Sequence, residues 1–351
     1  MSDGLVLSID GMGGDNAPDI VVEGVELIAR TRPDVRFLLH GDAARLGALL
    51  EHAPAAKAAS SIVPADRVIT MEVKPSQAVR QGRGSSLWNA VASVENSEAH
   101  AVVSAGNTGA FMAIAMFRLR TMEGVHRPAL AASWPTMHGG FAAVLDVGGN
   151  VEADAEQLVE FAIMGEAFHR AVHGTARPSV GLLNVGSEDQ KGHEEIRTAA
   201  RLMREAKLDL DFHGFVEGDD IAKGTVDVFV TDGFTGNVAL KTGEGTARLV
   251  AHFLREGLRS SWRAKLGALI AMPALNKLRD RMDPSTVNGA VFLGLNGVVV
   301  KSHGGATGRG FAAAVEVAAK LAKSHYRDEI ARNLSGLVQA EKAAAGAGET
   351  I

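Results

Sequence analysis

Short apolar runs that end in clusters of glycine and small polar residues recur along the chain, with amphipathic stretches between them. Leu5–Ile9, Arg36–His40, Arg67–Met71, Ala101–Ser104, Ser179–Val185 and Val226–Val230 read as strands. Helical spacing is found from Pro18 to about Arg30, where Ile20, Val21, Gly24, Val25, Leu27 and Ile28 share one apolar side. It returns over Ala44–His52, Ser86–Ser97, Gly109–Arg120, Asp154–Val172 and Glu194–Glu205. Leu130–Trp134 and Phe141–Asp146 flank Met137-His-Gly-Gly140 and predict a hairpin. The alternation predicts an α/β fold built on a doubly wound, mostly parallel sheet.

One segment breaks the rhythm. Thr246–Asp283 has no strand signal; Leu254, Leu258, Trp262 and Leu266 recur every fourth residue, with Arg255, Arg259 and Arg263 on the adjacent stripe. Leu266–Leu275 is apolar on every side, and Pro273 is expected to break the run, giving a helical hairpin with an apolar tip. The reading is therefore one α/β unit over residues 1–335, of one or two lobes, with the hairpin inserted at about 246–283 and a flexible tail at 336–351. No internal repeat is visible.

Composition narrows the classes. In 351 residues, 46% are hydrophobic and 22% charged, ordinary for a soluble enzyme, while 40 glycines suit many tight strand–helix turns. The net charge of −5 argues against a nucleic-acid partner, which requires many phosphate-facing cations. The absence of cysteine removes thiolate nucleophiles, disulfides and Cys-based metal sites. The N-terminal MSDGLVLSIDG lacks a signal-peptide pattern and no apolar run reaches the ~20 residues of a membrane span, so a cytoplasmic location is expected.

Three loops carry candidate chemistry, each where a strand gives way to a helix. The first holds Ser104, Asn107 and Thr108; the second Asn184, Ser187, Glu188 and Lys191; the third Asp232, Asn237, Lys241 and Glu244. Such positions are where α/β sheets gather ligands, so three of them predict one convergent site for an anionic group. Each residue also has a plainer role. Ser104, Asn107 and Thr108 suit helix caps, Asn237 a left-handed turn, Lys191 and Lys241 a solvated surface, and His303 a turn among glycines. Gly11-Met-Gly-Gly-Asp15 does not keep dinucleotide-loop spacing; Gly13, Gly14 and Asp15 instead predict a tight turn that brings backbone close to a ligand. No P-loop, H-E-x-x-H or G-x-S-x-G occurs.

Six motifs follow one another in order: Asp10-Gly-Met-Gly-Gly-Asp15, Ser104-Ala-Gly-Asn-Thr-Gly-Ala110, Asp146-Val-Gly-Gly-Asn150, Gly181-Leu-Leu-Asn-Val-Gly186 with Lys191-Gly192, Gly214-Phe-Val-Glu-Gly218, and Asp232-Gly-Phe-Thr-Gly-Asn237. Together they resemble the bacterial phosphate acyltransferase family of phospholipid synthesis, over nearly the whole chain from about residue 5 to about residue 325. The resemblance implies formation of acyl-phosphate from acyl-(acyl carrier protein) and inorganic phosphate; the lack of a P-loop, of cysteine and of a His pair at metal spacing predicts that no cofactor or metal takes part. It also implies a fold similar to phosphotransacetylases and the isocitrate dehydrogenase group, and a homodimer. Val287-Asn-Gly-Ala-Val291 departs from the Tyr-Gly-Gly-Ala-Pro of many members, so no tyrosine or proline role is carried over.

The chemistry agrees with that reading. Phosphate attacks the thioester directly and a thiolate leaves; with a thiol pKa of ~8.5 no enzyme nucleophile is needed. Lys191 and Lys241 would hold phosphate. Asn107, Asn150, Asn184 and Asn237, with the Gly13–Gly14 backbone, would position it, and Asp232, Glu188 or His303 would adjust protonation. The rivals are a phosphotransacetylase-like enzyme using acyl-CoA and a non-catalytic scaffold at a membrane. For the hairpin, Leu269 and Ile270 inside a collar of Arg259, Arg263, Lys265, Lys277 and Arg279 predict peripheral association with an anionic membrane. The same collar suits the acidic carrier protein, and a membrane glycerol-3-phosphate acyltransferase is the partner the resemblance suggests. A buried core hairpin or a dimerisation element is the competing role.

Overall fold

The computed structural model describes residues 4–206, 208–282 and 288–348, with the side chains of 278–282 and 338–348 outside the description, Arg279 among them. Its strands are β1 (Leu5–Asp10), β2 (Val35–Gly41), β3 (Ser60–Pro64), β4 (Ala101–Ser104), β5 (Ala129–Pro135) and β6 (Phe141–Leu145). They continue with β7 (Ser179–Leu183), β8 (Asp211–Val216), β9 (Val228–Val230), β10 (Ala290–Leu293) and β11 (Val298–Lys301). All belong to one 11-stranded sheet in the order β3-β2-β1-β4-β11-β10-β5-β6-β9-β7-β8. Its inner strands, such as Val298–Lys301 and Val228–Val230, are buried throughout, as strands covered by helices on both faces must be.

The sheet consists of two parallel blocks. One runs β3-β2-β1-β4-β11 and the other β6-β9-β7-β8. Between them β11/β10, β10/β5 and β5/β6 all pair antiparallel, so the second block runs opposite to the first. The register shows where the blocks end. Lys301 lies opposite both Ser104 and Ala290; Val291 pairs with Ala131, and Ala132 with Val144. Asp146 follows Val144 by two residues. The carboxyl ends of the two blocks therefore approach each other at mid-sheet, about 7 Å apart along the strands and three strand spacings, about 14 Å, across. A doubly wound sheet binds ligands outside its strand ends; here the two sets of ends point to opposite edges of the sheet but overlap in level at mid-sheet.

Several expectations shift. Residues 67–71 are not a strand: Arg67 makes only an isolated bridge to Ser85, and the edge strand is Ser60–Pro64. The third polar loop is not a turn. A helix begins directly at Gly233, capped by Asp232, and runs 27 residues to Arg259. It is followed by Trp262–Ile270 and Met272–Met282, so the breaks fall at Ser260–Ser261 and Ala271, and Pro273 sits in the first turn of a helix, where it is tolerated. The expected flexible tail is helical as far as Gly348, in the helix Tyr326–Gly348. Val287 lies outside the described residues.

The helical arm is not a core hairpin. Leu249, Val250, Phe253, Trp262, Leu266, Leu269 and Ile270 are all exposed, the last by 76%. No helix among the described residues is long and apolar enough to cross a membrane.

Candidate active site

Asp146 organises the end of β6. Oδ1 of its buried carboxylate accepts the backbone N–H groups of Leu130 (3.0 Å), Gly148 (3.1 Å) and Gly149 (2.8 Å), and Oδ2 accepts those of Asn150. Burial raises its pKa, opposed by these bonds. The Gly233–Arg259 helix seats directly on this loop. A Cβ at Gly233 would strike the Asn150 carbonyl, and one at Gly236 the Asp146 carbonyl. Here glycine serves close approach. Asn237 stands exposed one residue further on, with its Oδ1 3.6 Å from where a Gly148 side chain would begin. Asp232 caps the helix, accepting Thr235 N (2.8 Å) and Thr235 Oγ1 (2.7 Å), so its carboxylate is engaged.

The end of β7 adds Asn184 and the loop to Lys191. Asn184 Nδ2 donates to the Lys191 carbonyl (3.1 Å), while its buried Oδ1, like that of Asn150, has no partner among the described residues. Lys191 Nζ pairs with Glu188 at 2.9 Å, both half exposed, and each partner stabilises the charge of the other: Glu188 is lowered and Lys191 raised in pKa.

Across the middle strands, β1, β4 and β11 end in a second polar group. Ser104 Oγ donates to Asp10 Oδ2 (2.7 Å), and Gly106 N donates to Ser104 Oγ (3.0 Å). Gly13 lies between them, where any side chain would meet Asp10, Ser104 and Gly106 together, and Gly14 has φ +110°. Asp15 N donates to the Gly304 carbonyl (3.0 Å), stitching this turn to the loop after β11. Asn107 has no free group: it caps Thr108–Leu119 through Ala110 N, and its Nδ2 donates to the carbonyls of Thr70, Met71 and Val73. Its role is to tie the 70–73 loop to the helix.

His303 follows β11. Its backbone N–H donates to Asn288 Oδ1 (2.9 Å), and its Nδ1 accepts from Gly305 N (3.2 Å). A donor aimed at Nδ1 requires a lone pair there, so in the neutral ring the proton is on Nε2. The ring is exposed at the surface, and the partial desolvation it undergoes lowers its pKa, as does the positive charge of Lys241. Lys241 thus reaches from the long helix toward the first block, although the helix starts on the second. It pairs with Glu244 at 3.1 Å. The structure gathers Gly13, Gly14, Asp15, Ser104, His303 and Lys241 on one side, and Asn150, Asp232 and Asn237, with Asn184, Glu188 and Lys191 on the next loop, on the other. Asp10, which opens the first of the six motifs, completes the first group together with Asn288 and Lys301.

A family model described as fatty acid synthesis protein matches residues 5–328. A protein of Caulobacter vibrioides called phosphate acyltransferase is 61% identical over 96% of this chain and 93% of its own length. One of Maricaulis maris with the same name is 54% identical over 96% of both. Among solved structures, a phosphotransacetylase from Streptococcus pyogenes superposes with a TM-score of 0.62 at 16% identity, covering 92% of this chain and 95% of that one. That likeness establishes the fold.

Proposed function

The chain belongs to the phosphate acyltransferase family of phospholipid synthesis, and on that premise we propose that it transfers an acyl group from acyl carrier protein to inorganic phosphate in the cleft between the two strand-end groups. The observation that supports this is the Gly233–Arg259 helix, which starts on the Asp146 loop of the second block and brings Lys241 within electrostatic reach of His303 and Lys301 at the end of the first. Phosphate is held by Lys191 and Lys241 and positioned by Asn237. The unpartnered Oδ1 atoms of Asn150 and Asn184 accept from a protonated phosphate oxygen or a bound water. Phosphate displaces Glu188 from Lys191, exchanging one anionic partner for another. His303 is neutral and presents Nε2–H, which suits it to donate to the thioester oxygen as negative charge develops there. Glu188 and Asp232 are already engaged, so of the three candidates for proton handling His303 fits best. Thiolate departs without covalent catalysis.

The exposed arm supports the rest of the reading. Leu249, Val250 and Phe253 lie along the long helix and suit burial against a second copy. Leu269 and Ile270 project at the far end inside Arg259, Arg263, Lys265 and Lys277, a combination that suits shallow insertion into an anionic bilayer at the cytoplasmic surface. Delivery of acyl-phosphate at that surface would place it beside a membrane glycerol-3-phosphate acyltransferase. The deciding assay follows phosphate-dependent loss of thioester from acyl carrier protein and from CoA. Faster turnover of the carrier-bound acyl group is expected. Equal rates remove the donor assignment, and no phosphate-dependent loss removes the reaction.

A further inference from the structure

Lys301 has no part in the mechanism above, yet it is the one lysine or arginine among the described residues that is buried, at 7% exposure. A buried cation is ordinarily paired. Lys301 instead directs Nζ at two backbone carbonyls, Ala105 at 3.3 Å and Ser302, and forms no salt bridge among the described residues. An ammonium carries three N–H donors, so one is uncommitted. The nearest carboxylates have other duties: Asp10 accepts from Ser104 and Met12, and Asp15 lies in the turn stitched to Gly304.

The position is informative. Lys301 ends β11 level with Ser104, one residue before Ser302 and two before His303, in the first of the two strand-end groups. The charges that act on it come from three directions: Asp10 on β1, Asp15 in the following loop, and Lys241 on the long helix, while His303 lies beside it. Two cations, one buried, thus repel each other across a cleft assigned to an anion. Resting on the reading that phosphate is the acceptor, we propose that Lys301 is a substrate-binding residue whose third N–H holds a phosphate oxygen, with Lys241 facing the same anion from the helix. An anion there relieves the Lys301–Lys241 repulsion and occupies the open donor. A lysine that only pins two carbonyls would do neither.

The two roles differ in their response to pH. Burial pulls the Lys301 ammonium down to about 8, helped by Lys241 and opposed by Asp15 and Asp10. If it holds phosphate, affinity falls as pH rises through that value, because the cation is lost. The test is calorimetric titration of inorganic phosphate alone into the full chain from about pH 7 to about pH 9.5, with wild type, Lys301→Met and Lys301→Arg. Wild-type affinity is expected to fall toward ~10-fold per unit above the midpoint. Lys301→Met should bind ~10-fold or more weakly at neutral pH and lose that fall, as removal of a charge-assisted bond requires. Lys301→Arg, ionised throughout, should bind without the fall. Wild-type affinity that stays flat through pH 8, or wild-type binding by Lys301→Met, overturns the proposal. Should Lys301→Met fail to fold, the wild-type and Lys301→Arg profiles decide. No acyl donor is present, so an enzyme that binds phosphate in this way but does not turn over thioester would sink the acyl-transfer reading and leave this one standing.

Discussion

Asp146 and Asn150 close a ring on one another: Asp146 Oδ2 accepts both the backbone N–H of Asn150 at 2.6 Å and its side-chain Nδ2 at 2.8 Å. The same carboxylate serves Leu130, Gly148 and Gly149, and the long helix rests on the loop so formed. Removing it leaves several buried donors without an acceptor, each costing about 1–3 kcal/mol. Asp146→Ala is expected to lose at least ~3 kcal/mol in urea unfolding. A loss under ~1 kcal/mol would show that the loop holds its shape without the carboxylate.

Lys191 and Asn237 are exposed, and neither supports the core. Lys191→Ala and Asn237→Ala are therefore expected to melt like wild type while cutting kcat/KM by ~100-fold or more, the usual result of losing a preorganised donor. Near-wild-type kcat/KM in either variant excludes that residue from the site.

His303 donates from Nε2 only while Gly305 occupies Nδ1. His303→Gln keeps a neutral N–H donor at similar reach and should retain activity within ~10-fold, whereas His303→Ala should lose ~100-fold in kcat. Equal loss in both variants would show that the imidazole does more than donate.

Buried histidines govern stability in acid. Desolvation lowers both His40 and His173 to about 4, against an ordinary value of 6.5. Between those values the unfolded chain binds a proton that the native state refuses, so stability rises with pH across this window and is lost as pH falls from about 6.5 toward about 4. Each histidine contributes at most about 1.4 kcal/mol per pH unit. His40→Gln and His173→Gln should each flatten the slope of unfolding free energy over this range. An unchanged slope would show that the two rings are protonated in the native state.

The arm is tested with vesicles. Wild type should sediment with anionic liposomes at low salt, and Leu269→Glu/Ile270→Glu should remain in the supernatant with its activity on soluble carrier protein intact. Equal binding by the two proteins would show that the tip is not the anchor. A wild-type dimer that the variant fails to form would instead assign these side chains to a partner copy.

Legibility from sequence depends on whether neighbours in the chain or neighbours in space decide the outcome. Ala101–Ser104 and Glu194–Glu205 are readable to the residue because apolar periodicity is a local signal. Ser60–Pro64 escapes such a reading because an edge strand is only half covered and needs no apolar run. The helix start at Gly233 looks like a turn since glycine is a poor helix former. Its glycines answer instead to the Asp146 loop, which is distant in sequence. Lys301 illustrates the same limit. A lysine at the end of Val298–Val300 reads as solvated, and only the pairing of β11 with β4 and β10 buries it. The convergence of the site is expected from three loops, but its geometry comes from antiparallel pairings in β10 and β11, which give no strand reading.

The Gly233–Arg259 helix is a single rod of 27 residues with its first turn wedged onto Asp146 and its last leading to the apolar tip. At about 1.5 Å per residue it is about 40 Å long, so a tilt of about 10° about the wedged end sweeps the other by about 7 Å. Lys241 lies a third of the way along and moves in proportion. Whatever grips the outer end therefore sets the angle of a lever whose inner arm carries Lys241 toward or away from His303, making the covering of an apolar surface and the spacing of two polar side chains a single mechanical variable.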